Sequence, residues 1–316
     1  MKFSVIIPLY NKAPYVVKAI GSVLAQTFAD YELIVVDDGS KDNSADIAAQ
    51  AIEGRSNCRL IRQNNAGVST ARNNGVAASQ GDYLCFLDAD DWWEPTFLEE
   101  MAKLIVEFPE AGIYGTNYTI VNETKRKTRI SPIGVEAGFE KGYINYCQTY
   151  AKTLAMPLWT GAVCIPRSVY ETEGGFNPQL KMGEDFDLWI RIALSHQVAF
   201  LNKPLAFYNQ DVEANKRAIG SLPPPETQFA FCADYLKENM EKDADLKRIV
   251  ECVQIICLRN YYLSGKFHSQ ADKVLKSIDL ESHLGNSYAD YLRRPIWATR
   301  LLDKTARVAE KLKYGK

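Results

Sequence analysis

Short apolar runs that stop abruptly at polar residues alternate with helical repeats through the first third of this chain. Residues 3–7 and 31–36 are rich in β-branched and apolar residues, 59–62 is centred on Leu60-Ile61, and each has the length of a strand. Between the first two, Val16, Ala19, Ile20, Val23 and Leu24 recur at helical spacing; Ile47, Ala48, Ala51 and Ile52 do the same before the third. Strands separated by helices predict a doubly wound, mostly parallel sheet. The fourth run, residues 81–87, ends in Asp88, Asp90 and Asp91. In an open parallel sheet ligands bind at the carboxyl ends of the strands. Three carboxylates so close repel one another, and hard oxygen ligands suit Mg²⁺ or Mn²⁺, which in turn grips a diphosphate. The alternative is a polar loop whose acids face water.

A second acidic end, Asp37-Asp38-Gly39-Ser40, closes residues 31–36. It is either a turn, with Gly39 permitting the reversal, or part of the same ligand edge. No GxGxxG follows the first strand, which argues against a nicotinamide dinucleotide site.

Composition narrows the class. The chain has 316 residues and a formal net charge of −2, so it carries no global nucleic-acid footprint. Its seven cysteines form no CxxC pair, which predicts reduced thiols and a cytoplasmic protein. The three histidines, His196, His268 and His283, cluster neither with each other nor with cysteines in sequence, against a zinc site. No apolar stretch reaches the roughly 18–20 residues that span a bilayer.

Four motifs, in order and at matching spacing, resemble the inverting family 2 glycosyltransferases of GT-A fold. They are Val5-Ile6-Ile7-Pro8-Leu9-Tyr10-Asn11, Asp37-Asp38-Gly39-Ser40, Asn65-Ala66-Gly67-Val68-Ser69-Thr70-Ala71-Arg72-Asn73, and Asp88-Ala89-Asp90-Asp91. The resemblance covers residues 1–215. It implies a GT-A, Rossmann-like α/β domain over residues 1–220, followed by a helical extension over 221–316. It also implies roles. Pro8, Tyr10 and Asn11 would line a base and ribose pocket, and Asp38 would accept from the imide N–H of uracil. Arg72 would lie beside the nucleotide, Asp88 would contact ribose or donor sugar, and Asp90 would coordinate Mn²⁺ or Mg²⁺. Asp91 would support its neighbours. Trp92 and Trp93 read as anchors for the next helix.

Further along, residues 111–120 read as a strand, 121–138 as a basic hairpin or solvated ribbon, and 158–165 as another strand. Tyr143, Tyr146 and Tyr150 fit one helical face. The family's acceptor side is matched by Trp159 and by Glu184-Asp185 ahead of an apolar helix. Asp185 is the expected base for the acceptor hydroxyl, with Glu184 beside it. One departure stands out: where many members carry His in a Tyr-Arg-x-His run, this chain has Asn209 and Asp211, so Asp211 is the candidate second metal ligand.

After the Pro223-Pro224-Pro225 linker the pattern is helical, at about 226–240, 245–264, 268–278 and 286–314. The last of these is basic and amphipathic. It either packs on the protein or lies on an anionic membrane surface, which would suit a lipid-linked acceptor. The expected partners are a nucleotide-sugar donor and a glycan or lipid-linked acceptor. The rivals are a sugar-nucleotide nucleotidyltransferase, against which the glycine-free loop 8–12 argues, and a non-catalytic glycan-binding scaffold.

Overall fold

The computed structural model describes residues 1–122, 124–211, 222–264, 266–283, 294–295, 297–298 and 301. It divides into two compact units, Met1–Gly220 and Ser221–Lys316. In the first, β1 (Phe3–Leu9), α1 (Val16–Leu24), β2 (Tyr31–Asp37), α2 (Ser44–Ala51), β3 (Cys58–Arg62), α3 (Val68–Ala77) and β4 (Tyr83–Phe86) follow in strict alternation. β1 pairs in parallel with β2 and with β4, and β2 in parallel with β3. The strands are apolar on both faces because helices cover both: every residue of β1 and β2 is buried. Fully burying one such Val, Ile or Phe contributes roughly 1.5–3 kcal/mol. Gly75 of α3 marks the closest approach, since a Cβ there would lie 2.5 Å from Ile6 Cγ2.

The rest of the sheet brings later segments to the same edge. β5 (Trp92–Trp93), α4 (Phe97–Glu107), β6 (Ala111–Asn122), β7 (Lys127–Ile130), β8 (Lys141–Ile144) and α5 (Tyr146–Thr153) come next. They are followed by β9 (Val163–Pro166), α6 (Arg167–Thr172), α7 (Glu184–Ser195) and β10 (Gln197–Asn209). The strand order is β3-β2-β1-β4-β9-β6-β10-β5, with β7 on β6 and β8 on β10. β9 runs antiparallel to both β4 and β6, and β10 runs parallel to β6. The carboxyl ends of β1–β4, β6 and β10 and the amino end of β9 therefore share one edge.

Two local expectations are corrected. Residues 158–165 are not a strand throughout: Thr160–Ala162 is a 3₁₀ turn, and pairing begins only at Val163. Tyr143 is not on the helix of Tyr146 and Tyr150. It lies in β8, paired with Ala199, and Asn145 caps α5 by accepting from Gln148 N–H at 2.9 Å. The basic segment does form a hairpin, β6–β7, with every β7 residue exposed. Trp93 is buried and stacks on Phe97 at 4.1 Å, which seats α4; Trp92 stacks on Phe207 at 5.1 Å across the β5–β10 pair.

The second unit is helical. α8 (Phe229–Cys232), α9 (Lys237–Lys242), α10 (Ala244–Ser264) and α11 (His268–Lys276) are its α-helices among the described residues. Ile255, Leu258, Tyr261, Ala271, Leu275 and Ile278 form its core. The basic helix expected at 286–314 lies outside the described residues apart from five positions. Among the described residues no helix is long and apolar enough to cross a membrane.

Candidate active site on the carboxyl edge of the sheet

Asp38 follows β2 and is buried. Its Oδ1 accepts from Gln63 Nε2 at 2.8 Å and from Ala66 N–H at 2.7 Å, and its Oδ2 accepts from Gly67 N–H at 2.9 Å. The carboxylate thus latches the loop between β3 and α3 to the end of β2. Oδ2 carries one of these bonds and keeps acceptor capacity for an imide. Gly39 next to it has φ 73°, the left-handed turn expected of it, with Asn65 N only 3.0 Å from where a Cβ would stand. Pro8 is buried within β1, whereas Tyr10 just beyond is 40% exposed and leaves a ring face at the edge. Asn11 is held to the loop after β2, its Oδ1 accepting from Lys41 N–H at 2.8 Å.

Arg72 links the two halves of the site. It is buried on α3, with Nη2 donating to Asp88 Oδ1 at 2.8 Å and Nη1 to Glu184 Oε1 at 3.0 Å. Its guanidinium lies over the Phe176 ring, 4.9 Å from the centroid. Burial works against its charge, but Asp88, Glu184 and Asp185 outweigh burial and hold it above its ordinary pKa. A cation expected to face the nucleotide therefore spends two of its donors joining donor-side Asp88 to acceptor-side Glu184.

The three acids after β4 divide the work. Asp91 is buried and structural: Oδ1 accepts from Asn209 N–H at 2.9 Å, and Oδ2 from Trp159 Nε1–H at 3.4 Å. It ties the end of β10 and the start of β9 to the acidic loop. Burial, then Asp90 and Asp88, push its pKa well up. Asp90 accepts from the Lys12 ammonium at 2.5 Å. Burial and Asp88 raise its pKa against the pull of Lys12. Asp88 is the more open of the three, 30% exposed.

Gly183 caps the start of α7, and its φ of 80° turns the chain into three acids, Glu184, Asp185 and Asp187. Asp187 pairs with Arg191 at 2.8 Å and is committed to the helix. Asp185 accepts from Phe186 N–H at 2.7 Å and from Thr160 Oγ–H at 3.2 Å. Burial raises its pKa, opposed by Arg72 and by those two donors. Burial and Asp185 also raise Glu184, against Arg72. Trp159, one residue before Thr160, packs on Tyr208 at 4.2 Å and on Tyr118 at 5.6 Å.

The donor set fits a divalent cation in one specific way. Among the described residues no three His, Cys, Asp or Glu side chains are grouped to hold a metal. Asp211, the second ligand named from the sequence, accepts from Thr124 N–H at 3.1 Å on the β6–β7 turn. Yet Asp90 already attracts a cation, the Lys12 ammonium. A hard ion held by one or two carboxylates and completed by phosphate oxygens and water matches this set. An all-protein cage does not.

An acidic carboxyl edge on a Rossmann-like sheet of this strand order is the architecture of the GT-A fold. The sequence agrees: residues 4–172 match the model of glycosyl transferase family 2, and the chain belongs to that family. It is 34% identical over 215 residues to glycosyltransferase GlyA of Streptococcus pneumoniae, covering 66% of this chain and 30% of that protein. It is 45% identical over 114 residues to an uncharacterized glycosyltransferase of Nostoc, covering 36% of this chain and 35% of that protein. The matches thus span about a third of the length of these curated relatives. Among solved structures, S. aureus TarS 1–349 in complex with UDP-GlcNAc superposes with a TM-score of 0.69 at 19% identity, over 100% of this chain and 93% of that one. The same TarS segment with UDP gives 0.60 at 18% identity, over 93% and 76%. At such identity the likeness establishes the fold.

Proposed function

We propose that the chain transfers a sugar from a UDP-linked donor to a hydroxyl of a glycan or lipid-linked acceptor, with inversion at the anomeric carbon. The observation that carries this is the Arg72 bridge, which joins Asp88 of the donor motif to Glu184 of the acceptor motif across the mouth of one sheet. Complexes of TarS with UDP and UDP-GlcNAc support the choice of UDP.

Asp38 and Tyr10 receive the base. Asp38 is preorganised by its three protein donors and offers its spare acceptor capacity to uracil. Asp88, with Arg72 fixing one oxygen, turns the other toward ribose or donor sugar. Asp90, with Asp88 beside it, would hold Mn²⁺ or Mg²⁺, which when bound supplies positive charge to the leaving diphosphate. Asp185 takes the proton of the acceptor hydroxyl. Its pKa, raised by burial, makes it a stronger base than a solvated carboxylate, and Thr160 and the Phe186 N–H keep it oriented. Trp159 lines the acceptor side, anchored through Asp91.

A donor panel tests this. UDP-sugars are incubated with the protein and Mn²⁺, with water as acceptor, and the released sugar is followed by NMR at early times. The expected result is release of the anomer opposite to that of the donor, lost in Asp185→Asn. Release of the retained anomer, or unchanged release by Asp185→Asn, overturns the assignment.

A further inference from the structure

Lys12 lies 78 positions before the acid it touches, so the turn after β1 must aim it. That turn is held tightly. Asn11 has φ 52°, a left-handed conformation uncommon outside glycine and best tolerated by Asn and Asp. Asn11 N–H donates to Ser40 Oγ at 3.1 Å, Asn11 Oδ1 accepts from Lys41 N–H at 2.8 Å, and Lys12 N–H donates to Ser44 Oγ at 2.7 Å. Two bonds to the loop after β2 and one to the first residue of α2 thus fix a strained residue and, with it, the root of Lys12. Strain kept in place by surrounding bonds is a mark of functional positions. The product is an ammonium 2.5 Å from Asp90 Oδ2, with both side chains 16% exposed.

We propose that Lys12 is the protein's own counter-cation for Asp90. In the donor-free protein it competes with a divalent cation for that carboxylate, and it passes to the donor's diphosphate when donor and cation arrive together. The diphosphate half rests on the function proposed above; the competition half does not.

The competition is electrostatic. An ammonium and a divalent ion on one carboxylate oxygen repel each other, so either excludes the other unless anions are added. A diphosphate adds them, and the flexible four-carbon stem of Lys12 lets its ammonium move to a phosphate oxygen without moving the pinned turn. Metal alone therefore meets an occupied ligand, while metal with diphosphate meets a released one. Linkage then requires UDP to raise metal affinity by the same factor as metal raises UDP affinity.

The experiment is Mn²⁺ titration by electron paramagnetic resonance on the full chain without nucleotide, comparing wild type, Lys12→Met and Lys12→Met/Asp90→Asn. Lys12→Gln is a second neutral variant in case the Met variant does not fold, and thermal melts check each. The neutral variants are expected to bind Mn²⁺ about tenfold more tightly or better. That gain should vanish with Asp90→Asn, and UDP should enhance Mn²⁺ binding more in wild type than in Lys12→Met. Unchanged or weaker Mn²⁺ binding in the folded neutral variants overturns the proposal. So does a gain that survives Asp90→Asn. Failure of UDP to bind wild type removes the donor reading and leaves the Mn²⁺-only comparison decisive for Lys12.

Discussion

Replacing Arg72 by Met isolates the bridge on which the site is built. Met keeps much of the side-chain length and can pack on Phe176, so the lost element is the charge. Removing one partner of a buried ion pair costs roughly 3–5 kcal/mol, because the remaining charge is left uncompensated. Here two carboxylates are left. Asp88, 30% exposed, turns to water at small cost, while Glu184, 13% exposed, does not. The expected destabilisation is therefore about 3 kcal/mol, at the low end of that range. At roughly 2–4 °C per kcal/mol, the melting temperature falls by about 6–12 °C. Adding Glu184→Gln removes the stranded charge and should restore at least about 1 kcal/mol. The pH dependence has a definite sign. Without Arg72, the pKa of Glu184, already raised, moves further above its unfolded value. The native state then binds a proton that the unfolded state does not, so the variant's deficit is full above the raised pKa and shrinks as pH falls toward the ordinary carboxylate range. Thermal and urea unfolding at neutral and mildly acid pH measure all of this. A single variant as stable as wild type, or a double variant no better than the single, would show that the Arg72 bridge does not carry this energy.

Three further outcomes follow from the same contacts. Asp38→Ala, which releases Gln63, Ala66 and Gly67, should lose roughly 2–4 kcal/mol by urea unfolding, with Asp38→Asn recovering part of it. Asp185→Asn should lower turnover by roughly 10²–10⁴-fold while UDP affinity stays within about twofold; wild-type turnover should rise with pH through the raised pKa of Asp185. Asp91→Asn should be the more stable protein at neutral pH by about 1 kcal/mol, because a buried charge is removed. That advantage should fade as pH falls and wild-type Asp91 takes up its proton, since its pKa lies above the unfolded value. Melting curves at two pH values decide it.

The parallel half of the sheet was legible because its signals are local. The apolar runs of β1 to β4 and the helical spacing of α1 and α2 need no tertiary information. Residues 158–165 misled because the apolar run of Ala162 to Ile165 is preceded, after only Thr160-Gly161, by apolar Leu158-Trp159. What breaks the strand is tertiary: Trp159 is drawn to Asp91, and Trp93 Nε1–H donates to Gly161 O at 2.6 Å. Tyr143 was assigned to a helix by its spacing, although Asn145 offered a cap that starts the helix after it. The acids of the site were readable as strand ends and motifs. Their partners were not. Arg72 and Glu184 are separated by 112 positions and Lys12 and Asp90 by 78, and no periodicity reports such pairs. Arg72 was visible only through its motif, as a residue beside the nucleotide, and nothing in the sequence singled out Lys12.

The central claim is that this carboxyl edge is a nucleoside-diphosphate site, and calorimetric titration with UDP tests it most directly. Wild type and Asp90→Asn are titrated with and without Mn²⁺. The account predicts UDP binding that Mn²⁺ strengthens in wild type, with the strengthening lost in Asp90→Asn. UDP binding that is indifferent to Mn²⁺ would contradict the role of Asp90, and failure of UDP, GDP and dTDP alike to bind would contradict the site itself.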